Sequence, residues 1–505
     1  MKKYIDFMNE FNGDDIFEGL LGYGLFCEKL PPIFDSSNFY EYCKNNLPTF
    51  DTTCKETNYI KYESIRNTNI PRALGVPNPI NYYKLCRFIG EKWDLIIEHF
   101  RKQTFNQNSK VSRIHIRKIK GKKAIFQMNY KNFKTDGDGE VDFLLGAKYV
   151  VNVDISTCFP SMYTHSLAWA LAGKEYAKKN RQPSHWFNQL DFYVRGTTNG
   201  ETHGLLIGPH SSNILSEIIL TCVDNELTKK GWKYIRNIDD YTCFVTSNDD
   251  VQRFLVDINA ELRKLNLMLN HKKTKISQLP QTSSEKWIRK LSVILTTNKK
   301  YLDYKDVKLL LDTAIELLYA NNNNAAILNY VMKMIDGKQL SKNARVYYQK
   351  NILHLAIVFP YLIPLIDTYV FENQNIADEE IEDFSNIIYV EGEKTNNFEM
   401  ICYALFFAVK YKFKISKISL DFILESKHCI SLLLGFVYYK KVTKEKDSVK
   451  IFKELAKELI KDKDDFEENW LFVYEVLTVG FFKGDNSDWK ILKKNGISFL
   501  KEDIV

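Results

Sequence analysis

Three carboxylates are the residues in this chain best suited to chemistry. Asp154 closes the segment Tyr149–Ile155, and Asp239 and Asp240 sit together between two alternating segments. Mg²⁺ prefers hard carboxylate oxygens. A pair of such ions can clamp both the attacking and the leaving oxygen of a displacement at phosphorus. Taken singly, neither signal is strong. An Asp-Asp pair in a turn usually does turn chemistry, and a lone Asp can simply end a strand. Lys272, Lys273 and Lys275 fit an ordinary solvated basic strand. Arg113 and Arg117 share one strand face with His115, and the guanidinium fork suits phosphate. Non-specific nucleic-acid contact explains that pair equally well.

The elements that must position these groups are readable. Tyr149–Ile155 alternates and is rich in β-branched residues, which predicts a strand ending at Asp154. Phe159 follows five residues later, and Pro160-Ser161 breaks the chain. Lys233–Ile238 and Tyr241–Thr246 alternate around Asp239-Asp240, which predicts a hairpin with two acids at its tip. The acids meet only if both elements lie side by side in one sheet. Between them Ser211–Lys230 reads as a strong helix, with Ser211, Ser212 or Asn213 capping its start. Its apolar face is Ile214, Leu215, Ile218, Ile219 and Val223, and Gly231 ends it. Further expectations are helices over Tyr82–Phe100, Leu167–Asn180 and Val251–Leu265, a turn region at Gly196–Gly200, and extended chain over Leu267–Ile276. A basic β-hairpin is expected from Ile114 to Met128. The first 130 residues read as mixed and aromatic, with turns at Asn12-Gly13, Pro31-Pro32 and Pro77–Pro79.

The 505 residues suffice for two to four domains, and 45% hydrophobic with 26% charged content is that of a globular chain with a sizeable core. A net charge of +7 is modest, but Arg101–Lys134 holds eleven Lys or Arg and no acid, a local field suited to a polyanion. The nine cysteines form no CxxC pair and no zinc spacing, which suits buried thiols in a reducing cytoplasm. The N-terminal stretch lacks the apolar core of a signal peptide. The longest apolar run, Leu355–Ile366, is broken by Pro360 and Pro364 and is too short to span a bilayer, so no membrane partner is expected. After about Ser292 strand alternation fades. Amphipathic helices follow over Lys305–Asn321, Ala325–Ile335, Ala344–Val358, Phe398–Tyr411, Leu420–Tyr439, Val449–Lys461 and Asn469–Phe482. They could stack as an irregular HEAT-like solenoid or close into a compact bundle.

The contexts of the acids carry a resemblance. VDISTCFPSMYTHSLAWAL resembles motif A of reverse transcriptases, GLLIGPHSSNILSEI their motif B, RNIDDYTCFV motif C and LNLMLNHKKTKI motif D, in matching order and spacing. With IPRALGVPNPINYYKL upstream, the set is most similar to the abortive-infection (Abi) polymerases of bacterial phage defence, of the prophage-borne, AbiK-like kind. The likeness covers about Ile70–Ile276. It implies an α+β fold, with reverse-transcriptase fingers and palm over residues 1–290 and an all-helical, HEAT-like domain over 291–505. It implies metal-binding roles for Asp154, Asp239 and Asp240, with Mg²⁺ or Mn²⁺ as cofactor. By the same likeness Phe159 is a steric gate against a ribose 2′-OH, and Gly208 is the glycine that lets backbone approach nucleotide or template. Lys273 would stabilise or protonate leaving pyrophosphate, and Arg113 and Arg117 would lie where finger residues clasp a triphosphate.

Two positions depart from the pattern. Asn237 stands where the usual YxDD box has tyrosine, and Ile207 precedes Gly208 where template-copying enzymes have a polar residue. The DD pair beside Asn237 is intact, and the loss of a polar contact at Ile207 argues against ordinary templated copying but not against nucleotidyl transfer.

The resemblance implies a DNA polymerase that adds dNTPs without a template. A tyrosine of the protein starts the strand, single-stranded DNA stays covalently attached, and the protein forms a homo-oligomer. Tyr4, Tyr23, Tyr40 and Tyr42 lie in the N-terminal part, where packing is the ordinary role of each. A templated RNA-dependent DNA polymerase of a bacterial defence system, and a non-catalytic phage-sensing nucleic-acid binder, are the alternatives.

Overall fold

Val150, Val151 and Val153 are buried on both faces of one strand, and the sheet grows around it. In the computed structural model, residues 3–48, 50, 55–105, 107, 112–113, 140–295, 300–374, 376–502 and 504 are described. The N-terminal part holds helices α1 (Tyr4–Met8), α2 (Gly13–Leu21) and α3 (Ser37–Asn46), then strands β1 (Tyr59–Ile65) and β2 (Pro71–Pro77). β1 and β2 pair antiparallel in full register, Tyr59 opposite Pro77 and Ile65 opposite Pro71. Helices α4 (Pro79–Glu91) and α5 (Trp93–Gln103) follow, so Tyr82–Phe100 is two helices broken at Lys92. Asn12 does not merely turn the chain: its side chain accepts from Asp15 N and caps α2.

The central sheet has the order β3-β5-β6-β4-β7. Its members are β3 (Ser112–Arg113), β4 (Tyr149–Asp154), β5 (Lys233–Asn237), β6 (Asp240–Val245) and β7 (Lys275–Gln278). β4 runs antiparallel to both β6 and β7, while β3 runs parallel to β5. Helix α6 (His165–Ala172) ends at Gly173, whose φ of +87° suits glycine, and α7 (Lys174–Lys179) restarts the chain. The expected Leu167–Asn180 helix is therefore interrupted.

Helix α8 (Trp186–Gly196) leads to the turn at 197–200, then to α9 (Ser211–Lys229) and α10 (Asn248–Lys264). α9 packs on α5, α6 and α10, with Ile214, Leu215, Ile218, Ile219 and Val223 all buried. Ser211, Ser212 and Asn213 lie inside it rather than at its cap, and Ser212 Oγ donates to Leu206 O at 2.6 Å. Gly231, at φ +80°, ends it as expected. Leu267–Ile276 is not continuously extended, because a turn at Asn270–Thr274 separates Leu269, bridged to Ile155, from β7.

The helical remainder comprises α11 (Lys286–Ile294), α12 (Tyr304–Ala320), α13 (Ala326–Ile335), α14 (Lys342–Val358), α15 (Asp378–Thr395), α16 (Phe398–Tyr411), α17 (Leu420–Glu425), α18 (Cys429–Tyr438), α19 (Lys446–Leu459), α20 (Lys463–Glu468), α21 (Trp470–Val476) and α22 (Ser487–Lys494). Two expectations change. The Leu420–Tyr439 run breaks where Lys427 takes φ +49°, and the last long run stops at Val476. α12 packs on α13 and α14, while α16 packs on α15 and α18, and α18 on α21.

One apolar core runs from the N-terminal helices through the sheet into these helices. β1 lies on α16, α18 and α20. The last residues return to the first ones, with Asp35 N donating to Phe499 O and Lys501 N to Ile33 O, both at 2.9 Å. No helix of the described residues is long and apolar enough to cross a membrane. The eight described cysteines are all free, six of them buried. The expected basic hairpin, with Arg117, lies outside the described residues.

Candidate active site

β4 and β6 pair so that Asp154 stands opposite Asp240, which brings two acids remote in sequence onto neighbouring strands. Asp239 occupies the tight β5–β6 tip, where Ile238 takes φ +56°. On the Asp154 side, Thr157 takes φ +44°. β-Branched residues rarely enter the left-handed region, and such strain gathers at functional sites. The tip is tied across the sheet, because Ile155 N donates to Asp239 O at 3.2 Å.

Carboxylate oxygens of Asp154, Asp239 and Asp240 all lie within 4.8 Å of one another. Asp154 is buried, Asp239 half-buried and Asp240 exposed. Desolvation, then the charge of Asp154, raises the Asp239 carboxyl above its usual range. Desolvation, followed by the charges of Asp239 and Asp154, pushes Asp240 up to about 7. Like charges this close resist joint ionisation, and a divalent cation relieves that repulsion. Hard oxygen donors clustered at this spacing fit Mg²⁺ or Mn²⁺.

Cations flank the cluster. Lys273 Nζ lies 3.2 Å from Asp154, and the charges of Lys273 and Arg72 both reach Asp239. Asn270 fixes Asp154 twice: its Nδ2 donates to Oδ2 at 2.9 Å and its backbone N to the Asp154 carbonyl at 2.8 Å. The turn that interrupts the expected extended run is thus what delivers Asn270 and Lys273 to the acid. Arg113 is described by its backbone alone, which pairs with Asn237 one step from the tip.

Phe159 is half-buried in a short helical turn, and its carbonyl accepts from Leu205 N at 2.8 Å, which joins the segment after Asp154 to the loop before α9. Gly208 takes φ +131°, and a Cβ there would lie 3.1 Å from the Gly75 carbonyl oxygen. Gly75 N also donates to Ile207 O at 2.9 Å. The close backbone neighbour of Gly208 is therefore β2.

Sequence reasoning missed the group that holds the tip. Arg236 is fully buried, bonds Glu217 and Asp224 of α9 at 2.7 Å each, and donates from Nη1 to Ile238 O at 2.7 Å. Tyr4 OH completes the network by donating to Glu217 Oε2 at 2.8 Å. The readable signal was Glu217 and Asp224 spaced seven apart on one helix face, next to an apolar stripe. Arg72 and Asn270 were equally silent, since neither type nor spacing separates them from surface residues.

Residues 103–305 match the family described as "Reverse transcriptase (RNA-dependent DNA polymerase)". No curated protein matches the chain. Among solved structures, apo telomerase from Candida tropicalis is similar at 14% identity and a TM-score of 0.33, over 71% of this chain and 69% of that one. Its version truncated from the C-terminal domain gives 13% and 0.30, over 48% of this chain and 54% of that one, so this chain spans about half of that structure's length. Telomerase from Candida albicans, in complex with a fragment of telomeric RNA, gives 11% and 0.29, over 83% and 67%. The family match over residues 103–305 encloses all three acids and places a reverse-transcriptase-like domain in this part of the chain.

Proposed function

We propose that this chain is a DNA polymerase of phage defence by abortive infection, AbiK-like and prophage-borne, which adds dNTPs without a template from a tyrosine of its own. The observation that carries the polymerase part is the meeting of Asp154, Asp239 and Asp240 within 4.8 Å. The finer reading rests on the motif forms quoted above and on Ile207, an apolar side chain where templated copying calls for a polar one.

In this reading the three acids hold Mg²⁺ or Mn²⁺, which would supply charge stabilisation at the α-phosphate. A phenolic oxygen, and later a 3′-oxygen, bonds to the α-phosphorus of a dNTP. The bond to the pyrophosphate oxygen breaks, and the hydroxyl proton passes to water. Lys273, on a flexible four-carbon stem beside Asp154, neutralises the departing pyrophosphate. Phe159 excludes the ribose 2′-OH, Gly208 keeps the loop before α9 close to β2, and Arg113 and Arg117 bind the triphosphate. Of the four N-terminal tyrosines, Tyr4 and Tyr40 are buried, whereas Tyr23 and Tyr42 are partly exposed and better placed as nucleophiles. The polymerase half spans 1–290 and a HEAT-like half 291–505, the latter supported by helices that pack largely in chain order. A cytoplasmic setting and a homo-oligomer complete the proposal.

Purified protein given Mg²⁺ and labelled dNTPs without nucleic acid tests it. Label attached covalently to protein is the expected result. Product formed only with a primed RNA would overturn the template-free part, and no product under either condition would overturn the polymerase reading itself.

A further inference from the structure

A cavity of about 590 Å³ opens between α6, α7 and α8, at the end of the segment that follows Asp154. Its walls combine two chemistries. The rings of Tyr163, Trp169 and Phe192 line it, and so do Lys178, Arg181 and Arg195. Asp191 is the single carboxylate among its lining residues. That acid is already engaged, with its Oδ2 2.8 Å from His165 Nδ1 and 3.3 Å from Arg195 Nε. The buried Asp191 therefore fixes a histidine and an arginine at the wall and adds no net repulsion of its own. Lys178 and Arg181 are exposed, with no carboxylate partner among the described residues.

The aromatic wall is held in place. Tyr163 sits 4.8 Å from the His165 ring, 5.4 Å from Trp169 and 4.9 Å from His203. Lys174 covers Trp169 at 4.2 Å. Tyr163 also bridges through its backbone to His203 in the loop that carries Gly208, so this wall is spliced into the same two segments as Phe159. Partly exposed rings beside two cations that have no carboxylate partner among the described residues, with Arg195 held next to them by Asp191 and Glu56, form a combination that can bind a base together with its phosphate, largely regardless of sequence.

We infer that this cavity is a second nucleotide subsite that holds one nucleotide of a single DNA strand, with the base against Tyr163 and Trp169 and the phosphate at Lys178, Arg181 and Arg195. The choice of DNA rests on the polymerase reading above; the stacking and phosphate contacts do not. A strand is favoured over a free nucleotide because Lys178, Lys179 and Arg181 are exposed cations close together in the chain, more positive charge than one phosphate needs.

The test is fluorescence anisotropy with a labelled oligodeoxythymidine of about twelve nucleotides, full-length protein and EDTA, so that the acid cluster takes no part. Trp169→Ala should weaken binding about tenfold, the loss expected for one stacked base. Arg181→Glu, on exposed surface and so independent of folding, should weaken it several-fold and flatten the dependence on salt. Photo-crosslinking from iododeoxyuridine should map to Tyr163 or Trp169. Unchanged affinity in both variants with crosslinks elsewhere would overturn the inference. So would loss of dTTP binding in both variants with oligonucleotide binding intact, which would make the pocket a free-nucleotide site. Strand binding that depends on Trp169 in a protein that incorporates no dNTP would leave the subsite standing and fell the polymerase reading, so the two failures are distinguishable.

Discussion

Asp154, Asp239 and Asp240 were readable because they sit at the ends of short strand-like segments, and a period of two leaves little freedom about where a strand begins or ends. Arg236 was not readable. A charged residue in a strand looks solvent-facing, and only the packing of β5 on α9 reveals two carboxylates waiting for it at 2.7 Å. Its bond to Ile238 O makes it a positioning residue for the tip that carries Asp239. Removing one partner of a buried ionic network leaves the others uncompensated, at a cost of about 3–5 kcal/mol. Arg236→Ala should therefore lower the urea midpoint sharply and abolish nucleotide incorporation at temperatures where the wild-type protein is active. A variant of unchanged stability would show that the network does not hold the hairpin.

Among the elements, the β5–β6 hairpin and α9 were legible from pattern, whereas β1–β2 passed unread. Ile60 and Tyr62 point inward and Lys61 and Glu63 outward, a true alternation hidden in aromatic, turn-rich surroundings. What pattern cannot show is that β1 packs on helices some 330 to 400 residues later in the chain. There Glu399 of α16 accepts from Ile65 N at 2.8 Å while almost fully buried. Burial pushes its carboxyl up to about 7, against 4.5 for an ordinary glutamate. Between those values the folded protein holds a proton that the unfolded chain has lost, so this group makes stability fall as pH rises through the window and level off above it. The effect is on the order of 3–4 kcal/mol at about 1.4 kcal/mol per unit. Glu399→Gln keeps an acceptor for Ile65 and should be the more stable protein at pH 8 but not at pH 4.5, by urea unfolding. Parallel profiles for the two proteins would contradict this account of the β1–α16 contact.

At the scale of the molecule, the change from strand to helix near residue 292 was legible, and most long helices fall within a few residues of their expected bounds. Their breaks were not, because Lys427 at φ +49° carries no residue signal for leaving the helix. Nor could composition say how the helices associate, since that depends on which faces meet. The whole fold bears on the site through contacts remote in sequence: α16, α18 and α20 support β1, β2 supports the loop with Gly208, and α9 holds the tip. The claim on which all this converges is that three acids carry a divalent cation for nucleotidyl transfer. The most direct measurement is dNTP incorporation by Asp239→Ala beside the wild-type protein at saturating Mg²⁺. Loss of several kcal/mol of transition-state stabilisation predicts a fall of about a thousandfold or more, with folding intact by circular dichroism. Incorporation retained at the wild-type rate would contradict the account.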